Sequence, residues 1–142
     1  MNIEKLKKQI LDHEGFRDVV YLDHLGNPTV GIGHLIKDNE PWKVGDKLDL
    51  STIDKLFQYD VNIAMKDAKD FIEIDVSDEC LMILTNMAFQ LGRNRLSGFK
   101  KLKQAIHDSN FEQASLEMLD SRWNTQTPHR CRDLSERMKN VR

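Results

Sequence analysis

The stretch from Cys80 to Leu91 constrains the fold more than any other part of this sequence. If it is helical, it is apolar around almost its whole circumference, and Gly92 follows it as a residue that ends helices. A surface helix has one apolar face, whereas a helix that is apolar on all sides lies in the middle of a core. The sequence therefore predicts a helical body packed around residues 80–91.

Helical patterns flank this central segment on both sides. Apolar residues recur at helical spacing, as in the stripe formed by Ile3, Leu6, Ile10 and Leu11. The expected helices run over residues 3–14, 51–72, 78–91, 99–107, 111–119 and 128–141. Their expected N-caps are Asn2, Ser51, Ser77, Asn110 and Thr127, the last of which directly precedes Pro128 at the first helical position.

Residues 16–33 show a pattern of strands and turns and no helical period. Two β-prone runs, 19–22 and 29–32, enclose the turn-forming segment 23–28, which favours a small antiparallel hairpin or a three-stranded sheet. So small a sheet is not stable alone and must pack on helices. Residues 37–50, which include Pro41 and Gly45, are expected to form a loop. Together these patterns predict an α+β protein.

Charge and composition exclude several classes of function. The net charge of −2 gives no reason to expect a nucleic-acid partner, because binding to phosphates needs a basic face. No apolar run approaches the roughly 20 residues that span a bilayer, and the first residues lack the apolar core of a secretory signal. We therefore expect no membrane insertion and a protein that stays in the cytoplasm where it is made.

Two cysteines, Cys80 and Cys131, are the only sulfhydryl groups. Neither lies at metal-ligand spacing from a histidine or from the other cysteine. We expect both to be reduced, buried thiols, and we expect neither a metal site nor a cofactor.

Candidate catalytic groups gather around the β segment. Glu14 lies at a helix end, Asp23 in a turn and Thr29 on a strand. Glycoside hydrolysis needs two carboxyl groups that flank a groove, one protonated and one ionised. However, the chain has 23 acidic residues, and two acids nine positions apart are more often surface carboxylates. From residue types alone, both interpretations stay open.

Several groups of residues add to this pattern and follow one another in order. They are Glu14-Gly15-x-Arg17…Tyr21-x-Asp23…Gly26…Thr29-x-Gly31-Ile32-Gly33-His34, Asn86-Met87-Ala88-Phe89-Gln90-Leu91-Gly92, Gly98-Phe99 and Ser121-Arg122-Trp123-Asn124-Thr125-Gln126-Thr127-Pro128-x-Arg130. Together they resemble the phage lysozymes of glycoside hydrolase family 24 over nearly the whole chain.

The resemblance implies a lysozyme-like fold in a single domain over residues 1–142. A small antiparallel β lobe would cover about residues 14–50, and a long linking helix would follow over about residues 51–72. The larger helical lobe would comprise residues 73–142 and the N-terminal helix, with the active-site groove between the two lobes.

The resemblance also implies roles for individual residues. Glu14 matches the proton donor, Asp23 the second carboxylate and Thr29 the hydroxyl that helps to hold the attacking water. These roles imply an inverting displacement with carboxyl groups roughly 6.5–9.5 Å apart. Arg130 matches an arginine that pairs with the acid. His34 and Asp60 match a structural ion pair, which we favour over a metal site.

Three residues are candidates for contact with the substrate. Leu35, Phe89 and Gln90 are expected to touch the glycan, although Phe89 could equally be a core residue. Gly31 and Gly33 are expected to let the backbone approach a sugar ring or to shape the end of a strand.

The implied function is that of an endolysin. Such an enzyme hydrolyses the β-1,4 bonds between N-acetylmuramic acid and N-acetylglucosamine in bacterial peptidoglycan, for host lysis and phage release. We expect a monomer in the host cytoplasm that reaches the cell wall after a holin permeabilises the membrane. Two alternatives stay open, a lytic transglycosylase on the same fold and a non-catalytic peptidoglycan-binding protein.

Overall fold

The computed structural model describes all residues from Met1 to Arg142 and confirms the predicted α+β class. The strands are β1 (Arg17–Leu22), β2 (Pro28–Gly31) and β3 (His34–Leu35). The helices are α1 (Ile3–Glu14), α2 (Leu50–Ile72), α3 (Asp78–Ser97), α4 (Lys100–His107), α5 (Phe111–Leu119), α6 (Arg122–Gln126) and α7 (Pro128–Lys139). None of these helices combines the length and the apolar character that crossing a bilayer requires.

The chain divides into two compact units. The β unit comprises residues 4–62, and the helical unit comprises residues 1–3 together with 63–142. The boundary between residues 62 and 63 falls inside α2. The predicted division placed the N-terminal helix with the helical lobe, whereas residues 4–14 of α1 group with the sheet.

The sheet of the β unit is antiparallel, with strand order β1-β2-β3. Tyr21 pairs with Thr29, and Thr29 pairs with Leu35 on the other side. Residues directly opposite each other on neighbouring strands project from the same side of a sheet. Tyr21, Thr29 and Leu35 therefore define one face, which we call the Thr29 face.

The opposite face of the sheet carries the core of the β unit. Val20 and Val30 pack there with Leu48 and Ile53, and Trp42 packs against this cluster. Gly31 lets α2 approach the sheet closely, because a Cβ at this position would lie 2.9 Å from Cγ2 of Ile53.

The cap of α2 lies two residues earlier in the chain than predicted. The side chain of Asp49 accepts a hydrogen bond from the backbone N–H of Thr52 at 2.8 Å, so that Asp49 caps the helix and Leu50 is its first residue. The prediction that Ser51 is the cap was wrong, because Asp49 offers the same kind of acceptor earlier in the chain.

The core of the helical unit forms around α3, as the apolar segment 80–91 predicted. Its side chains from Cys80 to Leu91 are mostly buried, and Ser77 caps the helix by accepting from the N–H of Cys80 at 3.3 Å. Gly92 (φ 78°, ψ 167°) breaks the helical geometry, and the chain then returns to a helix up to Ser97. Gly92 therefore interrupts α3 but does not end it.

Both cysteines lie in this core as free thiols, which confirms the prediction. Burial raises the pKa of Cys80 to about 12. Burial likewise raises the pKa of Cys131 to about 11, although a hydrogen bond with Ser121 acts in the opposite direction. Both groups are therefore protonated thiols at neutral pH.

The short helix α6 was not predicted. Ser121 caps it by accepting from the N–H of Asn124 at 3.1 Å, and it carries Trp123, whose side chain is buried and packs edge-on against Phe99. Five residues are too few to show a helical period in the sequence. The predicted cap of α5 is present, since Asn110 accepts from the N–H of Gln113.

Candidate active site

Glu14 is the last residue of α1 and lies against the backbone of Gly33. Gly15 (φ +78°) ends the helix and donates its N–H to the carbonyl of Leu11 at 2.8 Å. A Cβ on Gly33 would lie 3.0 Å from both Cδ and Oε2 of Glu14. Gly33 also has a φ of +68°, which favours glycine. The absence of a side chain at Gly33 thus leaves room for the carboxyl group of Glu14 beside the backbone.

Asp23 begins the hairpin turn between β1 and β2, and the turn fixes its carboxylate. Oδ1 accepts the backbone N–H of Leu25 at 2.9 Å and that of Asn27 at 2.8 Å. The bond from Asn27 contributes most to a lowered pKa of Asp23; burial opposes it, and the bond from Leu25 adds to it. Asp23 is therefore ionised at neutral pH, as expected for a carboxylate in a polar turn.

Asn27 links Asp23 to Thr29 through its own backbone. Its N–H donates to Asp23, and its carbonyl accepts the hydroxyl of Thr29 at 3.0 Å. The side chain of Thr29 is buried, with 3% of its surface exposed. The structure thus brings two of the predicted catalytic residues together on one short backbone segment, in which sequence analysis assigned Asn27 only to the turn.

His34 lies between two carboxylates. Its Nδ1 is 2.7 Å from Oδ2 of Asp60, which confirms the predicted pair. Its Nε2 is 2.9 Å from Oε1 of Glu40, a partner that the sequence did not suggest. Because both ring nitrogens face acceptors, both must donate, and the ring is an imidazolium. The carboxylates occupy opposite nitrogens of one ring, which is an ion-pair arrangement.

Electrostatics support this assignment of charge. Burial alone lowers the pKa of His34, but the hydrogen bonds to Asp60 and Glu40 outweigh it, so that the pKa of His34 is raised. For Glu40, burial acts to raise the pKa, and the N–H of Lys37 and His34 together outweigh it, so that the pKa of Glu40 is lowered. The hydrogen bonds of His34 to Asp60 and Glu40 thus connect residues 34–40 with α2. Gly33, which lies against Glu14, directly precedes this segment.

Gln90 is held by hydrogen bonds within the helical unit. Its Oε1 accepts from Nε1 of Trp123 at 2.8 Å, and its Nε2 donates to the hydroxyl of Thr127 at 3.1 Å. Thr127 therefore accepts from Gln90, and its side chain does not cap α7, which corrects the predicted cap. Phe89 is half-buried and packs against the core. Substrate contact by Phe89 and Gln90 stays a prediction.

Arg130 is a buried side chain of α7, with 6% of its surface exposed. Its Nε and Nη2 donate to Oδ1 of Asn86 on α3 at 3.0 and 2.7 Å. Asn86 was part of the motif but had no assigned role, and it fixes the direction of the guanidinium. The predicted orienting role of Arg130 toward Glu14 stays a prediction.

The family model of phage lysozyme matches residues 11–140, a range that contains every candidate site residue named above. The chain belongs to the phage lysozyme family. It is therefore a lysozyme, an enzyme that hydrolyses peptidoglycan.

Individual relatives agree with the family match. A probable T4-type lysozyme of Dictyostelium discoideum is 30% identical over 152 residues, which cover 90% of this chain and 89% of the relative. The peptidoglycan hydrolase gp36 of Pseudomonas phage phiKMV is 29% identical over 93% of this chain, but the match covers only 15% of that protein. The pre-baseplate central spike protein Gp5 of Enterobacteria phage T4 is 30% identical over 83% of this chain and 24% of its own length.

Proposed function

We propose that this lysozyme hydrolyses the β-1,4 bond between N-acetylmuramic acid and N-acetylglucosamine in one inverting displacement. Glu14 acts as the general acid, and Asp23 and Thr29 hold the attacking water. The observation that carries the proposal is the shared backbone of Asn27, which fixes the Asp23 carboxylate and the Thr29 hydroxyl relative to each other.

The Thr29 hydroxyl is oriented to accept a hydrogen bond from water. Its proton is directed at the carbonyl of Asn27, so that its lone pairs are left as acceptors. Asp23, which is ionised, is a second acceptor. A water that donates one proton to each of these groups directs its own lone pair at the sugar carbon.

Proton and electron movements then balance in one step. The water oxygen attacks C1 of the sugar while its proton passes to Asp23, and the glycosidic oxygen leaves with the proton of Glu14. Exchange with solvent returns the proton from Asp23 to Glu14. The close support of Gly33 holds the Glu14 carboxyl in place for this transfer.

This arrangement favours hydrolysis over lytic transglycosylation. A transglycosylase needs only the acid and forms a 1,6-anhydro sugar without water. The Asp23–Asn27–Thr29 hydrogen bonds serve no step of that reaction, whereas they serve the placement of water.

Replacement of the acid tests the assignment. We expect Glu14→Gln to lower kcat on purified peptidoglycan by about 10²–10⁴-fold, the usual contribution of a general acid. Glu4→Gln, at an exposed position of the same helix, is the control and should keep wild-type kcat. Unchanged activity of Glu14→Gln in a folded protein would remove Glu14 from this role.

We also propose that the enzyme acts as a monomer in host lysis, and that it waits in the host cytoplasm until a holin opens the membrane. Family membership supports this role. The match to the T4 spike protein supports a second candidate role, cell-wall penetration during infection. Mass spectrometry of purified phage particles separates the two roles, because a penetration enzyme is a component of the particle whereas a lysis enzyme is not.

A further inference from the structure

An open cavity of about 340 Å³ runs along β1, outside the set of groups that carry the proposed reaction. It is lined by Phe16, Arg17, Asp18, Val19 and Tyr21. Its volume falls in the lower part of the range of ligand pockets, roughly 300–1,000 Å³. Arg17 and Tyr21 belong to the first sequence motif, yet the water and proton transfers described above use neither of them.

The cavity lies on the same side of the sheet as the proposed water site. Tyr21 pairs directly with Thr29, so that its ring projects from the Thr29 face. The guanidinium carbon of Arg17 is 4.4 Å from the centroid of that ring, which places the charge on the same side. The Thr29 face therefore continues from Thr29 onto β1 and its cation.

The chemistry of the lining suits an anionic group attached to an apolar one. Asp18 forms an ion pair with Lys47, whose Nζ is 3.8 Å from the Asp18 carboxylate. The guanidinium of Arg17 lies over the tyrosine ring, and a guanidinium in such a place can bind a carboxylate through its N–H groups. Phe16 and Val19 expose 48% and 40% of their surface and form apolar walls.

We propose that this cavity binds a carboxylate of the peptide stem that N-acetylmuramic acid carries. The assignment rests on the proposed function, because a glycan held at Asp23 and Thr29 presents such a stem beside the Thr29 face. Arg17 pairs with the carboxylate, and Phe16 and Val19 contact the alanine and lactyl methyl groups next to it.

Kinetics on two substrates test the assignment. Glycan strands with intact peptide stems are compared with strands from which an amidase has removed the stems. We expect Arg17→Gln to raise KM for the peptide-bearing strands about tenfold more than KM for the stripped strands, with kcat little affected. Arg17→Lys, which keeps the charge, should recover part of the difference. Lys55→Gln removes an exposed positive charge of the same unit and should leave the ratio of the two KM values at its wild-type value.

A binding measurement on the wild-type protein tests the assignment without catalysis and without any variant. The Nε–H resonance of Arg17 in the wild-type protein is followed by NMR during titration with a soluble muramyl peptide that has free carboxylates. We expect a saturable shift, and no shift with the same peptide after amidation of its carboxyl groups. An equal response to inorganic phosphate would show general anion attraction and would overturn the assignment.

The kinetic outcomes are distinguishable. A selective rise of KM on peptide-bearing strands supports the assignment. Equal effects of Arg17→Gln on both substrates, or an equal effect of Lys55→Gln, overturn it. If the wild-type enzyme cleaves neither substrate, the proposed function fails first, whereas normal cleavage without any effect of Arg17→Gln refutes only the peptide-stem site.

Discussion

A substitution at Gly33 can displace the carboxyl group of Glu14 without unfolding the protein. We predict that Gly33→Ala lowers kcat on peptidoglycan about ten- to a hundredfold in a protein that still folds. The added Cβ would lie 3.0 Å from Cδ and Oε2 of Glu14. Carbon–carbon contacts are most favourable at about 3.5–4.0 Å, so that the carboxylate must retreat by about 0.5–1 Å. A misplacement of about 1 Å can cost on the order of a hundredfold in rate.

The effect on stability should be separate and modest. Alanine at a φ of +68° adopts the left-handed conformation, which costs about 1–2 kcal/mol in a residue with a Cβ. The steric contact adds little to this cost, because a carboxylate at the end of a flexible side chain can move aside. Gly45→Ala is the matched control, since Gly45 has a φ of +94° and nothing within 4 Å of an added Cβ.

Urea unfolding and release of reducing ends from purified peptidoglycan measure the two effects. Both variants should lose a similar free energy of unfolding, and only Gly33→Ala should lose kcat. The reasoning is refuted if Gly33→Ala retains wild-type kcat, or if Gly45→Ala loses as much activity as Gly33→Ala does.

Two further predictions follow from the titratable groups. Because the pKa of His34 is raised in the folded protein, its ion pairs stabilise fully below its ordinary value of 6.5, and this contribution is lost as the pH rises through the raised value. In urea titrations, the free energy of unfolding of the wild-type protein should therefore fall as the pH rises, and His34→Gln should flatten this fall. His129→Gln, at an exposed position, should leave the fall unchanged. Equal slopes for the wild-type protein and both variants would contradict the ion-pair assignment. The buried thiols of Cys80 and Cys131 have pKa values of about 12 and about 11, so they should resist alkylation in the native protein and react after unfolding. Mass spectrometry measures the alkylation, and rapid labelling of the folded protein would contradict their burial.

The fold was predictable where the sequence pattern extends over several turns or strands. The apolar stretch 80–91 predicted the buried helix, and the turn residues of 23–28 predicted the hairpin, because both signals come from many residues that agree. Helix starts were less predictable. Asp49 and Ser51 are both good caps, and only the actual path of the chain decides that Asp49 is used.

The site was predictable as a set of residues but not as a set of contacts. Turn chemistry placed Asp23 correctly, whereas the role of Asn27 depends on its backbone N–H and carbonyl, which every residue except proline has. Glu40 lies in a loop without periodicity, and nothing in the sequence connects it with His34. Thr127 has the residue type of a cap, but its hydroxyl is already engaged by Gln90, which lies far away in the sequence.

The anomeric configuration of the first product tests the central claim most directly. If Asp23 and Thr29 hold a water that attacks from the side opposite the Glu14 proton, cleavage of a β-1,4 bond must release the α-anomer of the new reducing sugar. Proton NMR of a soluble glycan fragment, recorded before mutarotation, should show the α-anomer signal first. A β-anomer formed first, or a 1,6-anhydro product without a reducing end, would contradict the account.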